Sequence, residues 1–270
     1  MGCPPKPELE DRTQYPKKRL GQHFLTDPNT ARIVAEGVTK DDVVLEIGPG
    51  RGFLTGFLSE RASRVHAIEL DGDLLDALRE EMQACRNVSI HKGDALTYDY
   101  ASLEPAPNKL VANLPYNIAS PLIIKFLEEH HCVNVMRFMV QYEVARRMVA
   151  ETATKEYAAY AVLVQLLARV SLEHKVSPHV FYPPPRVHSA IVEVERQETG
   201  LGPADYEGVK HLVLTAFKSR RKQLVNNLPE SARVEGPSAL RRIGLSQDAR
   251  AEELATQDFV ALYRELSWAL

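Results

Sequence analysis

The chain is expected to be an α/β protein with a mostly parallel seven-stranded sheet and a small all-helical C-terminal domain. Two observations carry this. Strand-length apolar runs alternate with amphipathic helical segments from VVLEI to RFMVQ, the order that gives parallel strands joined by crossover helices. After ETGLGP near residue 200 the only periodicity left is helical, in YEGVKHLVLTAFKS and TQDFVALYRELSWAL.

Taken in order, residues 1–26 form an N-terminal arm and 27–200 the sheet domain. Asp27-Pro28 supplies a cap and a first-turn proline for a helix over about 29–37, and a polar turn at 39–42 leads into the first strand. VVLEI, RVHAIEL, VSIHKG, KLVAN and RFMVQ are strands, interleaved with the helices FLTGFLSERA, GDLLDALREEMQA and SPLIIKFLEEH. A further helix, YAAYAVLVQLLA, precedes two last strands, RVSLEHKV and SAIVEVER. A helical domain is assigned to 203–270.

At 270 residues and 44% hydrophobic content the chain can bury a full core. Its most continuous apolar stretch, 158–170, is interrupted by Tyr160, Gln165 and Arg169 and is too short to span a bilayer, and the first residues have no apolar signal core. Cys3, Cys85 and Cys132 are odd in number and widely spaced, with no zinc or disulfide framework, so a cytoplasmic protein without a metal site is expected. A net charge of −3 argues against wholesale coating of nucleic acid and leaves room for local basic faces.

VVLEIGPGRGFL places Gly48, Gly50 and Gly52 between a buried strand and a helix, where glycine permits a sharp turn and close approach of a ligand to the backbone. Glu69 ends the next strand, 19 residues after Gly50, positioned to accept both ribose hydroxyls of an adenosine. A dinucleotide site would need a third glycine at position 53, which is Phe53, so a nicotinamide dehydrogenase is disfavoured. The G-x-G-x-G spacing behind Glu46 instead resembles Rossmann-like class I S-adenosylmethionine-dependent methyltransferases. In those enzymes an acid placed like Asp94, in KGDAL, accepts from the adenine amino group; standing alone, Asp94 reads equally as a turn cap.

The strand KLVAN runs into Asn113-Leu114-Pro115-Tyr116 at the carboxyl edge of the sheet, beside the ligand crevice. These residues offer hydrogen-bond acceptors and an aromatic face, with no nucleophile or metal cluster. An adenine amine is a weak nucleophile and needs orientation. The Asn113 side-chain oxygen and the Leu114 carbonyl can each accept one of its hydrogens, Pro115 stiffens the loop, and Tyr116 can stack on the base.

Seven blocks in order, KKRLGQHFL, EIGPGRGFLT, IELD, GDAL, NLPYNIASPLI, FYPPPRVHSAIV and AFKSRRKQLVNNL, resemble the ribosomal RNA adenine dimethyltransferases over nearly the whole chain. The resemblance implies S-adenosyl-L-methionine as cofactor, held by His23, Leu25, Gly48, Gly50, Glu69, Asp94 and Asn113. Position 23 is often asparagine in that family. It also implies that Phe181 covers the target base opposite Tyr116, although by residue type Phe181 reads equally as a core aromatic.

NLPY and three consecutive prolines before RVHSAI resemble the branch that dimethylates two adjacent adenines near the 3′ end of small-subunit ribosomal RNA. The alternatives are the large-subunit, macrolide-resistance branch and a largely non-catalytic assembly factor. The expected partners are the small ribosomal subunit and its RNA, with no membrane and no protein oligomer required. Arg146 and Arg147, and Lys218, Arg220, Arg221 and Lys222, are candidate phosphate contacts. Lys17-Lys18-Arg19 is a third basic cluster.

Overall fold

The computed structural model of the chain describes residues 21–266; the Lys17-Lys18-Arg19 cluster and most of the N-terminal arm lie outside the described residues. In chain order the elements are β1 Phe24–Leu25, α1 Pro28–Val34, β2 Val43–Ile47, α2 Phe53–Arg61, β3 Arg64–Glu69, α3 Gly72–Glu81, β4 Val88–Lys92, β5 Lys109–Asn113, α4 Ala119–Glu129, β6 Val135–Gln141, α5 Tyr142–Met148, α6 Ala159–Leu167, β7 Ala168–Val176, β8 Phe181–Tyr182, β9 Ser189–Arg196, α7 Pro203–Ala216, α8 Glu230–Arg233, α9 Gly236–Arg242 and α10 Thr256–Leu266.

Seven strands form one sheet in the order β4-β3-β2-β5-β6-β9-β7, and β1 pairs with β8 in a separate two-stranded sheet. The pairs among β4, β3, β2, β5 and β6 are parallel, and β9 runs antiparallel to β6. From β2 the chain winds outward through β3 to β4, then returns to the other side of β2 with β5. The sheet therefore has its topological switch between β2 and β5, where a crevice opens at the strands' carboxyl ends.

Local chemistry accounts for the main elements. Asp27 caps α1 by accepting from the Thr30 N–H and hydroxyl at 2.7 Å each, with Pro28 in the first turn. Strands β2 and β3 are buried along almost their whole length, as parallel strands covered on both faces must be. Helix α4 buries Leu122, Ile123, Phe126 and Leu127, each worth roughly 1.5–3 kcal/mol of transfer free energy. Arg137 of β6 is 7% exposed, yet its charge is matched: Nη1 reaches Glu193, its cross-strand neighbour in β9, at 2.6 Å, and Nε donates to the Ile33 carbonyl.

The chain divides into two compact units, and their boundary differs from the one drawn near residue 200. One unit runs to Ala145 and resumes over Ser171–Arg196; the other holds Arg146–Val170 together with the chain from Gln197 onward. The reason is α6. It buries six of its residues, Ala161 to Val164, Leu166 and Leu167, so it needs apolar partners on every side, and it finds them on α7 and α10. Its amino-terminal neighbour Tyr157 is buried in the same unit, where its hydroxyl donates to the Leu254 carbonyl at 2.9 Å. Among the described residues no helix is long and apolar enough to cross a membrane.

Candidate active site

A cavity of about 780 Å³ opens at the carboxyl ends of β2, β3 and β5 and is lined as well by the loop after β4 and by residues 21–26. That volume suits a small-molecule ligand. Two loops meet over it. Gly50 has φ +59°, and a Cβ there would lie 2.9 Å from the Phe24 ring; Gly48 has φ +69° and sits against the Pro115 ring. Only glycine tolerates both the left-handed backbone and this proximity.

The β3 side carries the acids. Glu69 is 5% exposed, and its carboxylate accepts from the Gly50 N–H at 3.1 Å through Oε2 and from the Asp71 N–H at 2.8 Å through Oε1. Each oxygen keeps a lone pair for a ribose hydroxyl. Burial pushes the Glu69 pKa up, and the two backbone donors counter part of that rise. Asp94 caps its own turn, accepting from the Leu96 N–H at 2.9 Å through Oδ1, and is otherwise exposed at the cavity. The cap and ligand readings of this residue are compatible, because Oδ2 stays available.

Glu46 completes the acidic lining. It is 1% exposed, and Oε2 has no hydrogen-bond partner among the described residues. Burial, with the nearby Glu69 charge adding to it, raises its pKa to about 8. An unpartnered buried carboxyl at a cavity wall is costly unless a ligand satisfies it. A glycine cradle and the two buried acids Glu46 and Glu69 around the same space fit S-adenosylmethionine, which carries an adenosine, a sulfonium and an ammonium group. Leu70, 49% exposed beside Glu69, adds an apolar wall.

The β5 side holds the other half. The Asn113 Nδ2 donates to the His23 carbonyl at 2.9 Å, which fixes the amide's orientation and leaves Oδ1 as a free acceptor among the described residues. Leu114 buries its side chain, at 2% exposed, and donates its N–H to the Met139 carbonyl at 3.2 Å. Only its carbonyl is left to act. Tyr116 lines the cavity with its hydroxyl held 2.5 Å from Ser189 Oγ; burial pushes that phenol's pKa up, partly offset by the Ser189 contact.

Residues 21–26 form a strap over the cavity. Gln22 Nε2 donates to Asp71 at 3.0 Å, the His23 carbonyl takes the Asn113 amide, His23 Nδ1 lies 2.7 Å from the Pro183 carbonyl, and Phe24–Leu25 pair with Phe181–Tyr182. His23 and Leu25 thus both line the cavity.

Phe181 requires a correction. It is 3% exposed and packed in a core cluster with Leu25, Val34, Met139 and Ile191, and it does not line the cavity. Tyr182, 45% exposed, does. The short pairing sets Phe181 opposite Leu25, with which it packs in the core cluster, and sets Tyr182 opposite Phe24, which like it lines the cavity. Two adjacent aromatics in FY offered that signal, but nothing in the sequence marked so short a segment as paired.

In the helical unit, Lys218, Arg221 and Lys222 are exposed and make no ion pair among the described residues. Arg146 pairs with Glu156 at 3.0 Å while staying half exposed, and Arg147 lies beside it at the end of α5. Arg220 departs from the expectation of a phosphate contact. Its guanidinium binds Glu252 at 3.0 Å and donates to the Lys155 carbonyl at 2.9 Å, so its donors serve the fold. The backbone they secure includes Ala153, which has φ +61° and donates its N–H to the Glu252 carbonyl.

Comparison with known proteins bears on this site. The family model described as ribosomal RNA adenine dimethylase matches residues 14–267. A relative from Rubrobacter xylanophilus named ribosomal RNA small subunit methyltransferase A is 61% identical over 97% of this chain and 99% of its own length. One of the same name from Chromobacterium violaceum is 39% identical over 93% and 95%. Among solved structures, a dimethyladenosine transferase from Plasmodium falciparum superposes with a TM-score of 0.80 at 25% identity, covering 92% of this chain and 98% of that one. The 23S rRNA methyltransferase ErmE superposes at 0.72 with 28% identity, covering 90% and 99%. A match over almost the whole chain, with the glycine loop, Glu69 and the Asn113 loop around one cavity, makes this protein a member of the ribosomal RNA adenine dimethylase family.

Proposed function

We propose that this chain transfers methyl groups from S-adenosylmethionine to the exocyclic amines of two adjacent adenines near the 3′ end of small-subunit ribosomal RNA, giving N6-dimethyladenosines. The observation that carries the chemistry is the pinned Asn113 amide: with Nδ2 committed to the His23 carbonyl, Oδ1 is preset as an acceptor. Oδ1 and the Leu114 carbonyl each take one hydrogen of the amine, which turns the nitrogen lone pair toward the donor. Tyr116 offers one stacking face, and Tyr182, which also lines the cavity, offers the second. Stacking of about 1–3 kcal/mol per face is comparable to the few kcal/mol needed to extrude an adenine. When bound, S-adenosylmethionine supplies an electrophilic methyl on a positively charged sulfur; Glu69 would accept from its ribose hydroxyls and Asp94 from its adenine amino group, with the buried Glu46 carboxyl on the same cavity wall.

Arg146, Arg147, Lys218, Arg221 and Lys222 grip RNA phosphates and set register without reading sequence, with the helical unit as the subunit-docking part. Their exposure and charge support this reading. The test is incubation of the protein with labelled S-adenosylmethionine and undermethylated small subunits, in parallel with large subunits, with the modified bases mapped by mass spectrometry. Dimethyladenosine at neighbouring small-subunit positions is expected, reduced by roughly 10²-fold in Asn113→Ala. Label confined to large-subunit RNA would sink the assignment of substrate.

A further inference from the structure

We propose that Tyr142 and Lys175 form the subsite for the nucleotide next to the target adenine, the ring taking its base and the ammonium its phosphate; this rests on the adenine-methylating function above. Because that function acts on two adjoining adenines, the nucleotide held there is the second target.

Both residues sit at the methyl-accepting edge of the sheet and outside the cofactor cavity, whose lining includes neither. Strand β6 runs parallel to β5 with Met139 opposite Asn113, and its last residue, Gln141, lies opposite Ser189 of β9. Ser189 Oγ is the group that meets the Tyr116 hydroxyl at 2.5 Å. Tyr142 comes next in the chain, one Cα step of about 3.8 Å beyond Gln141, and its N–H donates to the His188 carbonyl at 2.9 Å. A base stacked on Tyr116 and a nucleotide one link along the strand therefore have adjacent pieces of one surface to rest on.

The chemistry of that surface suits unpaired RNA. Tyr142 is half-buried, Lys175 of β7 is exposed, and its Nζ lies 4.9 Å from the centroid of the Tyr142 ring. Arg186 and His188 are exposed as well, with Val187 between them 47% exposed. An aromatic face takes any base, and a neighbouring cation takes the phosphate that comes with it. The lysine competes with a base for the ring, and magnitudes decide between them. A cation–π contact at an exposed site is worth a factor of about 2–5 in an equilibrium, and a stacked base about 5–150. The base displaces the ammonium, which is then free to pair with the phosphate.

The experiment uses undermethylated small subunits reconstituted with ribosomal RNA that keeps one target adenine and carries at the other either adenine or an abasic residue, in both arrangements. Methyl transfer to the kept adenine is measured for the wild type, Tyr142→Leu, Tyr142→Phe and Lys175→Gln, with modified bases mapped by mass spectrometry and cofactor affinity read by calorimetry. On the intact pair, Tyr142→Leu should lose about tenfold in kcat/KM while Tyr142→Phe stays within about twofold, and S-adenosylmethionine affinity should move less than about twofold in every variant. With the abasic neighbour in one of the two arrangements, the wild type should fall to the level of Tyr142→Leu, and the leucine variant should lose little more. That wild-type response is read without any variant, so it decides the subsite even where the leucine protein is poorly folded. Lys175→Gln should lower the salt slope of subunit binding by about 0.7–1, and an unchanged slope would remove Lys175 from the subsite. A tenfold defect of Tyr142→Leu that persists beside both abasic positions, or none on the intact pair, would overturn the proposal. Label on large-subunit RNA would overturn the functional assignment instead, and an abasic residue beside the base labelled there would still decide the role of Tyr142.

Discussion

Replacing Phe181 and Tyr182 one at a time separates a core aromatic from a base-stacking one. Phe181 is 3% exposed inside the cluster that holds the strap to the sheet, so Phe181→Ala removes a whole ring from a close-packed site. Such truncations cost about 3–5 kcal/mol. At roughly 2–4 °C per kcal/mol for a chain of this size, the melting temperature should fall by about 6–20 °C. Tyr182 is 45% exposed, so Tyr182→Ala should change stability by less than about 1 kcal/mol while losing a stacking face worth about 1–3 kcal/mol, a 5- to 150-fold loss in kcat/KM for the RNA. Differential scanning fluorimetry and methyl transfer to small subunits read the two effects independently. A Phe181→Ala protein with unchanged melting temperature and a large RNA-specific defect would refute the burial argument and return Phe181 to the base.

Gly50→Ala forces a Cβ toward the Phe24 ring at a left-handed backbone position, and calorimetry should show S-adenosylmethionine affinity reduced at least about tenfold. Glu46 has its pKa raised from 4.5 to about 8 by burial, so the folded state holds a proton that the unfolded chain releases. The resulting stability is full below about pH 4.5 and is lost as pH rises through about 8, and a plot of melting temperature against pH should be flatter over that window in Glu46→Gln. Charge reversal of Lys218, Arg221 and Lys222 together should weaken small-subunit binding and flatten its salt dependence, as seen by filter binding across a salt series. Arg220→Ala, whose ion pair is partly exposed, should lower stability by no more than about 1 kcal/mol and leave the salt slope unchanged.

The parallel core of the fold was legible because it is written in periodicity. Strand β9 spans SAIVEVER and β5 spans KLVAN as expected, since buried strands read as continuous apolar runs between polar turns. The glycine loop and Glu69 were legible because a nucleotide demands backbone freedom and a carboxylate at set distances along the chain. What escaped was long-range. The pairing of β1 with β8 joins two-residue strands too short to carry a period, so the inward turn of Phe181 and the outward turn of Tyr182 could not be seen. The placement of α6 with the C-terminal helices escaped for a related reason: an apolar helix announces that it is buried without saying against what. Arg220 read as one of a basic run because Glu252, its partner, lies 32 residues away.

The strap has a consequence for how the protein is born. Its contact to the Pro183 carbonyl closes a separation of 160 residues, although the glycine loop and Glu69 that it covers are made within the first 70. At about 5–20 residues per second, synthesis of that interval takes about 8–32 s. Throughout it the parallel strands can assemble, but the roof of the cofactor cavity has nothing to pair with. A chain arrested before Val180 would carry every acid of the nucleotide site and still lack the partner strand that holds the strap over it.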